Sequence, residues 1–311
     1  MTKLALVFPG QGSQTVGMLS ELHSEFATVR DTFEEASKAL GYDLWALVAN
    51  GPDTDLNETH RTQPALLTAS VAIWRLWQQQ GGATPAYLAG HSLGEYSALV
   101  CSGALSLSDA VKLVEKRGQY MQTAVPAGTG AMQAIIGLDD TLIAKACEEA
   151  AQGEVVSPVN FNSPGQVVIA GNKAAVERAG ELCKTYGAKR ALPLPVSVPS
   201  HCALMKPAAK KLAADLAGLE FHPTVIPVLN NVDVAIATEQ NDIKDALMRQ
   251  LFSPVRWTES IEWLAAQGVT DVVEIGAGKV LAGLIKRIDK NLNTHSVNDV
   301  TSLQNALNPT T

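Results

Sequence analysis

The chain has 311 residues, 46% of them apolar and 18% charged, with a formal net charge of −7. That length suits one large α/β domain with a smaller insertion, the composition excludes a disordered chain, and the acidic balance argues against a nucleic-acid-binding molecule. The apolar run after Met1-Thr2-Lys3 is too brief for a signal peptide, and no stretch approaches the ~20 apolar residues of a membrane span.

Lys3 to Phe8 reads as a buried strand ending at a Pro-Gly-Gln-Gly loop. Met18, Leu22, Phe26, Val29, Phe33, Ala36 and Leu40 recur at helical spacing, and Gly41 ends that helix. His23 falls on its polar side and is expected to be solvated. An apolar helix is predicted after Pro64, ending at Gly81-Gly82, followed by a short strand, Tyr87 to Ala89, that runs into Gly90 and another helix. Alternating strands and helices favour a parallel sheet. The middle differs: strand Ala131 to Gly137, helix Thr141 to Ala150, strand Val155 to Asn160, a turn at Asn162-Ser163-Pro164-Gly165, strand Gln166 to Ala170, helix Lys173 to Tyr186 and strand Lys189 to Leu194. That order, βαββαβ, is the ferredoxin-like arrangement. The expectation is an α/β chain whose large domain (1–126 and 198–311) carries an inserted ferredoxin-like small domain (127–197). The sheet pattern resumes near Ile226, with helices at Asp242 to Phe252 and Glu259 to Gln267. Strand Asp271 to Ile275 and helix Val280 to Ile288 close it. The tail after Asp299 is expected to be loosely held.

Four cysteines (Cys101, Cys147, Cys183, Cys202) lack CxxC spacing and the six histidines lack ligand spacing, so neither a zinc site nor a disulfide framework is suggested. A reducing, cytoplasmic setting is expected.

Gly90-His91-Ser92-Leu93-Gly94, between a strand and a helix, has the form of a nucleophile elbow. The glycines permit a strained turn that lifts the serine to a helix N-terminus, where unpaired N–H groups can stabilise an oxyanion. An ordinary tight turn is the alternative; the flanking strand and helix favour the nucleophile. A serine hydroxyl needs a base, and His201, in a Pro-containing loop where the chain returns from the small domain, is the candidate. His91 is expected to point away, and His60, His222 and His295 lack a comparable context. No Asp or Glu stands out to orient the base, but Pro254 has no N–H for the carbonyl of Gln250, four residues earlier. That carbonyl is either satisfied by water or free to accept from a histidine Nδ1–H. Arg117 lies beside Val114 and Met121, at the inward stripe of a helix, and so needs an anionic partner: a structural carboxylate, or a substrate carboxylate held bidentately. Gly10-Gln11-Gly12 and Gly276-Ala277-Gly278-Lys279 fit neither the dinucleotide fingerprint nor the P-loop.

Over nearly its whole length the chain resembles the malonyl-CoA:acyl carrier protein transacylases of bacterial fatty-acid synthesis. The resemblance rests on Phe8-Pro9-Gly10-Gln11-Gly12-Ser13-Gln14, Thr62-Gln63-Pro64-Ala65, Gly90 to Tyr96, Arg117-Gly118, Asn160 to Gly165 and Val198-Pro199-Ser200-His201. It implies Ser92 as nucleophile, His201 as base, the Gln250 carbonyl as its orienter and Arg117 as the clamp on the malonyl carboxylate. The N–H groups of Gln11 and Leu93 are implied as the oxyanion hole. It further implies ping-pong transfer through a malonyl-serine, with malonyl-CoA and acyl carrier protein as substrates, no tightly bound cofactor or metal, and no nucleic-acid or membrane partner. Carrier proteins of this pathway are acidic, so Lys189/Arg190 or Lys286/Arg287 are candidate docking pairs. Gly276-Ala277-Gly278-Lys279 departs from an expected Gly-Pro-Gly-Lys, which affects only the rigidity of a loop remote in sequence. A serine hydrolase, a transferase of another extender unit such as methylmalonyl, and a non-catalytic carrier-binding module are the rival readings.

Overall fold

The computed structural model describes residues 3–196 and 198–308. Its strands are β1 (Leu4–Phe8), β2 (Tyr87–Gly90), β3 (Gly130–Ile136), β4 (Val156–Ser163), β5 (Gln166–Asn172), β6 (Arg190–Pro193), β7 (Val228–Leu229), β8 (Asp271–Ile275) and β9 (Asn293–Val297). They form two sheets. One is parallel throughout, in the order β7-β2-β1-β8-β9. The other is antiparallel, in the order β4-β5-β3-β6.

β1 lies at the centre of the parallel sheet and is apolar throughout because both its faces are covered. Leu6 and Phe8 enter a core built with helices Ala27–Leu40, Thr59–Gln79, Leu93–Cys101 and Leu107–Gln122. Ala5 and Val7 enter the opposite core, built with helices Trp257–Ala266 and Val280–Ile288. Such two-sided burial is what makes parallel strands read as continuous apolar runs. β1 and β2 end together, Phe8 in register with Gly90. Two loops, one after each strand, therefore meet at the carboxyl edge beside the point where the chain has wound to both sides of β1, the usual place for a ligand crevice in such sheets.

In the antiparallel sheet the elements run β3, helix Asp140–Ala151, β4, β5, helix Lys173–Thr185, β6. Ile135, Val167 and Ile169 pack under the two helices. Met132, Val159, Val168 and Ala170 line the other face and meet Cys202, one residue from His201. Backbone hydrogen bonds from Phe161 N–H to the Val255 carbonyl (3.0 Å) and from Val255 N–H to the Val159 carbonyl (2.8 Å) clasp this sheet to the segment before Trp257.

Several expectations need correction. The helix read from Met18 to Leu40 is two helices, Ser20–Glu25 and Ala27–Leu40, broken at Phe26, whose extended backbone serves as the end cap of one and the start cap of the next. His23 is not simply solvated: its ring stacks on Trp45 at 3.6 Å, and burial lowers its pKa. The helix placed after Pro64 begins at Thr59, because its burial outweighs the one bond lost at proline. The chain after Asp299 is not loose. Asp299 and Ser302 form a capping box for helix Val300–Leu307, which buries Leu303; residues 309–311 lie outside the described residues. No helix among the described residues is long and apolar enough to cross a membrane.

Candidate active site

β2 delivers the chain at Gly90, and helix Leu93–Cys101 begins three residues later. Ser92, between them, has φ 52° and ψ −108°, a backbone conformation that costs a non-glycine residue about 1–3 kcal/mol. The turn closes only because its neighbours lack side chains. A Cβ on Gly90 would lie 1.9 Å from the Gly94 carbonyl carbon, and one on Gly94 2.0 Å from the Phe8 carbonyl oxygen. Asn231, on the segment after β7, holds the strained turn: its Oδ1 accepts from Ser92 N–H (2.7 Å) and its Nδ2 donates to the Gly90 carbonyl (2.7 Å). His91 Nε2 lies 2.8 Å from Asn162 Oδ1 on β4, tying the elbow to the antiparallel sheet, and the residue lines the same cavity as Ser92.

Ser92 Oγ lies 2.8 Å from His201 Nε2, and His201 Nδ1 lies 2.7 Å from the Gln250 carbonyl. A carbonyl only accepts, so Nδ1 carries the proton and Nε2 presents its lone pair to the Ser92 hydroxyl. Gln250 is the last residue of helix Gln240–Gln250, so its carbonyl is the one Pro254 leaves free. His201 is buried; burial first, and the Arg117 cation second, push its pKa down to about 3. The imidazole is thereby kept neutral, the form a general base requires.

Arg117 is 1% exposed. It projects from helix Leu107–Gln122, which lies close against Thr59–His60 because Gly118 has no Cβ: one added there would sit 2.5 Å from His60 Cα. Arg117 Nη2 donates to Ser92 Oγ (3.3 Å) and to Gln250 Oε1 (3.0 Å), while Nε has no partner. Burial lowers the guanidinium's pKa, opposed chiefly by the neighbouring Tyr96 and Glu95. No carboxylate touches it among the described residues, so its fork is open on the serine side.

These groups line a cavity of about 120 Å³ with Gln11, Leu93, Met121, Met132, Asn160, Leu194 and Val196. The backbone N–H groups of Gln11, after β1, and Leu93, at the first turn of its helix, have no acceptor among the described residues. The Gly276-Ala277-Gly278 loop, remote in sequence, is a spatial neighbour: a Cβ on Gly276 would lie 2.7 Å from Pro9, and Gly278 sits beside Ser13. Its rigidity thus bears on the loop carrying Gln11.

Three participants escaped the sequence reading. They are Asn231, Glu95 and the side chain of Gln250, whose Nε2 donates to Glu95 Oε2 (2.8 Å) and to the Ser92 carbonyl (3.1 Å). Glu95 follows Ser92 at the spacing of a capping box, which invites a local explanation; its carboxylate instead accepts from Gln250 and from Asn231 N–H (3.0 Å).

The profile of the acyl transferase domain family matches residues 5–306. A malonyl CoA-acyl carrier protein transacylase of Salmonella typhimurium is 66% identical over 307 residues, 99% of each chain. Among solved structures, an acyl carrier protein S-malonyltransferase from Vibrio cholerae is 70% identical with a TM-score of 0.96, covering 97% of this chain and 99% of that one. A malonyl-transacylase solved in complex with a type II PKS acyl-carrier protein is 62% identical with a TM-score of 0.98, covering 99% of this chain and all of that one. An acyltransferase of this likeness, with an elbow serine in contact with both a neutral imidazole and a guanidinium, belongs to the acyl transferase family and, within it, to the malonyl CoA-acyl carrier protein transacylases.

Proposed function

We propose that the chain transfers the malonyl group from malonyl-CoA to the phosphopantetheine thiol of acyl carrier protein by a ping-pong reaction through Ser92. The observation that carries this reading is the placement of Arg117 Nη2 3.3 Å from the same hydroxyl that meets His201 Nε2 at 2.8 Å. A hydrolase of neutral esters has no use for a buried cation there, whereas an acyl group ending in a carboxylate does. His201 Nε2 takes the Ser92 proton as Oγ attacks the thioester carbonyl carbon. The Gln11 and Leu93 N–H groups hold the resulting oxyanion. The C–S bond then breaks, and His201 returns the proton to the departing coenzyme A sulfur. In the second half the carrier's thiol gives its proton to His201, its sulfur attacks the ester carbon, and Ser92 leaves with the proton. No cofactor or metal enters these steps, and coenzyme A is a product.

Carrier protein as the acceptor is supported by the solved complex of the 62% identical relative. Lys189/Arg190 and Lys286/Arg287 are exposed and suit an acidic partner; Arg287 also donates to Gln166 Oε1 (2.8 Å). Neutralising the pair that docks the carrier should raise the Michaelis constant for carrier protein while leaving that for malonyl-CoA in place. We further read the antiparallel sheet, by its βαββαβ order and its sequence of strands, as a ferredoxin-like domain (127–197) inserted into a hydrolase-like large domain (1–126 and 198–311), and the enzyme as cytoplasmic. Intact-mass analysis after mixing with malonyl-CoA alone tests the chemistry: a malonyl adduct on the Ser92 peptide is expected, and an adduct elsewhere, or none, overturns the assignment.

A further inference from the structure

Burying Arg117 with no carboxylate in contact raises the question of what balances its charge. Its Nη2 reaches Gln250 Oε1 at 3.0 Å, and the other end of the same amide, Nε2, reaches Glu95 Oε2 at 2.8 Å. The polarity of that amide is fixed at both ends. Reversing it would set N–H against guanidinium N–H and a carbonyl against a carboxylate. Glu95 is itself 2% exposed and is anchored by Asn231 N–H at 3.0 Å.

We propose that Glu95 is the resident counter-ion of Arg117, held one amide away by Gln250, so that the guanidinium stays buried and charged while its fork remains free for the carboxylate of the incoming acyl group. A carboxylate in direct contact would occupy that fork and compete with substrate. One removed to a more distant place would leave a buried cation uncompensated, which is costly. Glu95 is thus a positioning residue acting through Gln250, and it tunes how firmly an anionic acyl group is held. The role rests on the malonyl reading given above.

The energetic consequence has a sign. An acyl carboxylate on the open side of Arg117 lies on the order of 8 Å from Glu95, where repulsion between two like charges weakens its binding by about tenfold. Removing the Glu95 charge should tighten the hold on malonyl. Protonation does the same, and the Glu95 carboxyl is pushed up to about 7, by burial first, against the opposing pull of Asn231, Gln250 and Arg117. The other charged or titratable groups around it do not change state near neutrality. Tyr96 is pushed up to about 12, His201 is pushed down to about 3, Arg117 is a guanidinium, and Asp233 is clamped at 2.8 and 2.9 Å by both arms of Arg249.

The experiment compares ester formation on Ser92 from malonyl-CoA and acetyl-CoA, in the full-length wild type and Glu95→Gln, between pH 6 and 8. The substituted amide keeps an oxygen for Asn231 and Gln250 but carries no charge. In the wild type the Michaelis constant for malonyl-CoA, relative to that for acetyl-CoA, should fall about five- to tenfold as pH drops. In Glu95→Gln that ratio should sit at the low-pH value throughout. Equal changes for both acyl groups, or an undiminished pH dependence in the variant, would overturn the role. If the variant does not fold, the wild-type titration decides alone, a flat ratio being fatal. A wild type that forms no malonyl ester on Ser92 fails at the earlier step and removes the malonyl reading together with this role.

Discussion

His201 and Arg117 share a hydroxyl, and each alters what the other can do. The cation 3.3 Å from Ser92 Oγ helps hold the imidazole neutral, together with the burial that is the larger cause. In the proposed reaction the neutral imidazole is the base, and a pKa of about 3 leaves it in that form on acidification. The free-enzyme rate of ester formation from acetyl-CoA, which has no acyl carboxylate for Glu95 to repel, should stay level below the ordinary histidine value of 6.5, with no bend there. Replacing Arg117 with Ala removes the largest depressing influence after burial, so the acid bend should move upward; rapid-quench rates across pH would show it, and a wild-type bend at 6.5 with acetyl-CoA would refute the role given to burial. The same substitution bears on specificity. Removing one partner of a buried charge pair typically costs about 2–5 kcal/mol, so Arg117→Ala should cut malonyl transfer by roughly 10²–10³-fold and acetyl transfer far less. Equal losses would mean that Arg117 serves the fold alone.

At the scale of elements, the elbow is two short pieces of secondary structure forced together and then pinned from a third. Asn231→Ala should leave Ser92 N–H and the Gly90 carbonyl without their partners, destabilising the protein by about 1–3 kcal/mol in urea or guanidinium titration. Ester formation should also slow, because the Gln250 amide that remains on the Ser92 carbonyl (3.1 Å) does not hold Ser92 N–H or the Gly90 carbonyl. A variant with unchanged stability would show that the elbow holds itself. The elbow was legible in the sequence because Gly90, Ser92 and Gly94 fall within one short segment whose strain is solved locally. The Gln250 carbonyl was legible for a similar reason, since Pro254 withdraws its N–H four residues away. Asn231 and Glu95 were not: they act on residues more than a hundred positions distant, and Glu95 fits a local capping pattern that conceals its use. The capped helix Val300–Leu307 was hard to read because its box pairs Asp299 with Ser302 rather than with the usual Glu or Gln. Asp299→Ala should cost about 1 kcal/mol of stability, measurable as a lowered denaturation midpoint.

The whole molecule places its chemistry between two sheets of different kinds. The parallel sheet supplies Gln11 and Ser92 from adjacent carboxyl ends, while the antiparallel sheet and the chain leaving it supply Met132, Asn160, Leu194 and Val196 to the opposite wall. The clasp through Val255 and the His91–Asn162 contact hold those walls at a set spacing. A cavity of about 120 Å³ bounded in this way limits the size of the acyl group as well as the entry of water. Met132 is 7% exposed and belongs to the face of β3 turned toward Cys202, so shortening it enlarges the cavity without touching Ser92, His201 or Arg117. One extra methyl group in an apolar pocket is worth about 1–3 kcal/mol. Met132→Ala should therefore improve methylmalonyl transfer relative to malonyl by roughly tenfold, through room for the branch rather than through any new polar contact. Competition between the two coenzyme A thioesters, read as the ratio of ester masses on Ser92, measures this directly. An unchanged ratio would mean that the antiparallel sheet encloses the site without setting the size of what enters it, and that selection for the acyl group rests on the Arg117 side alone.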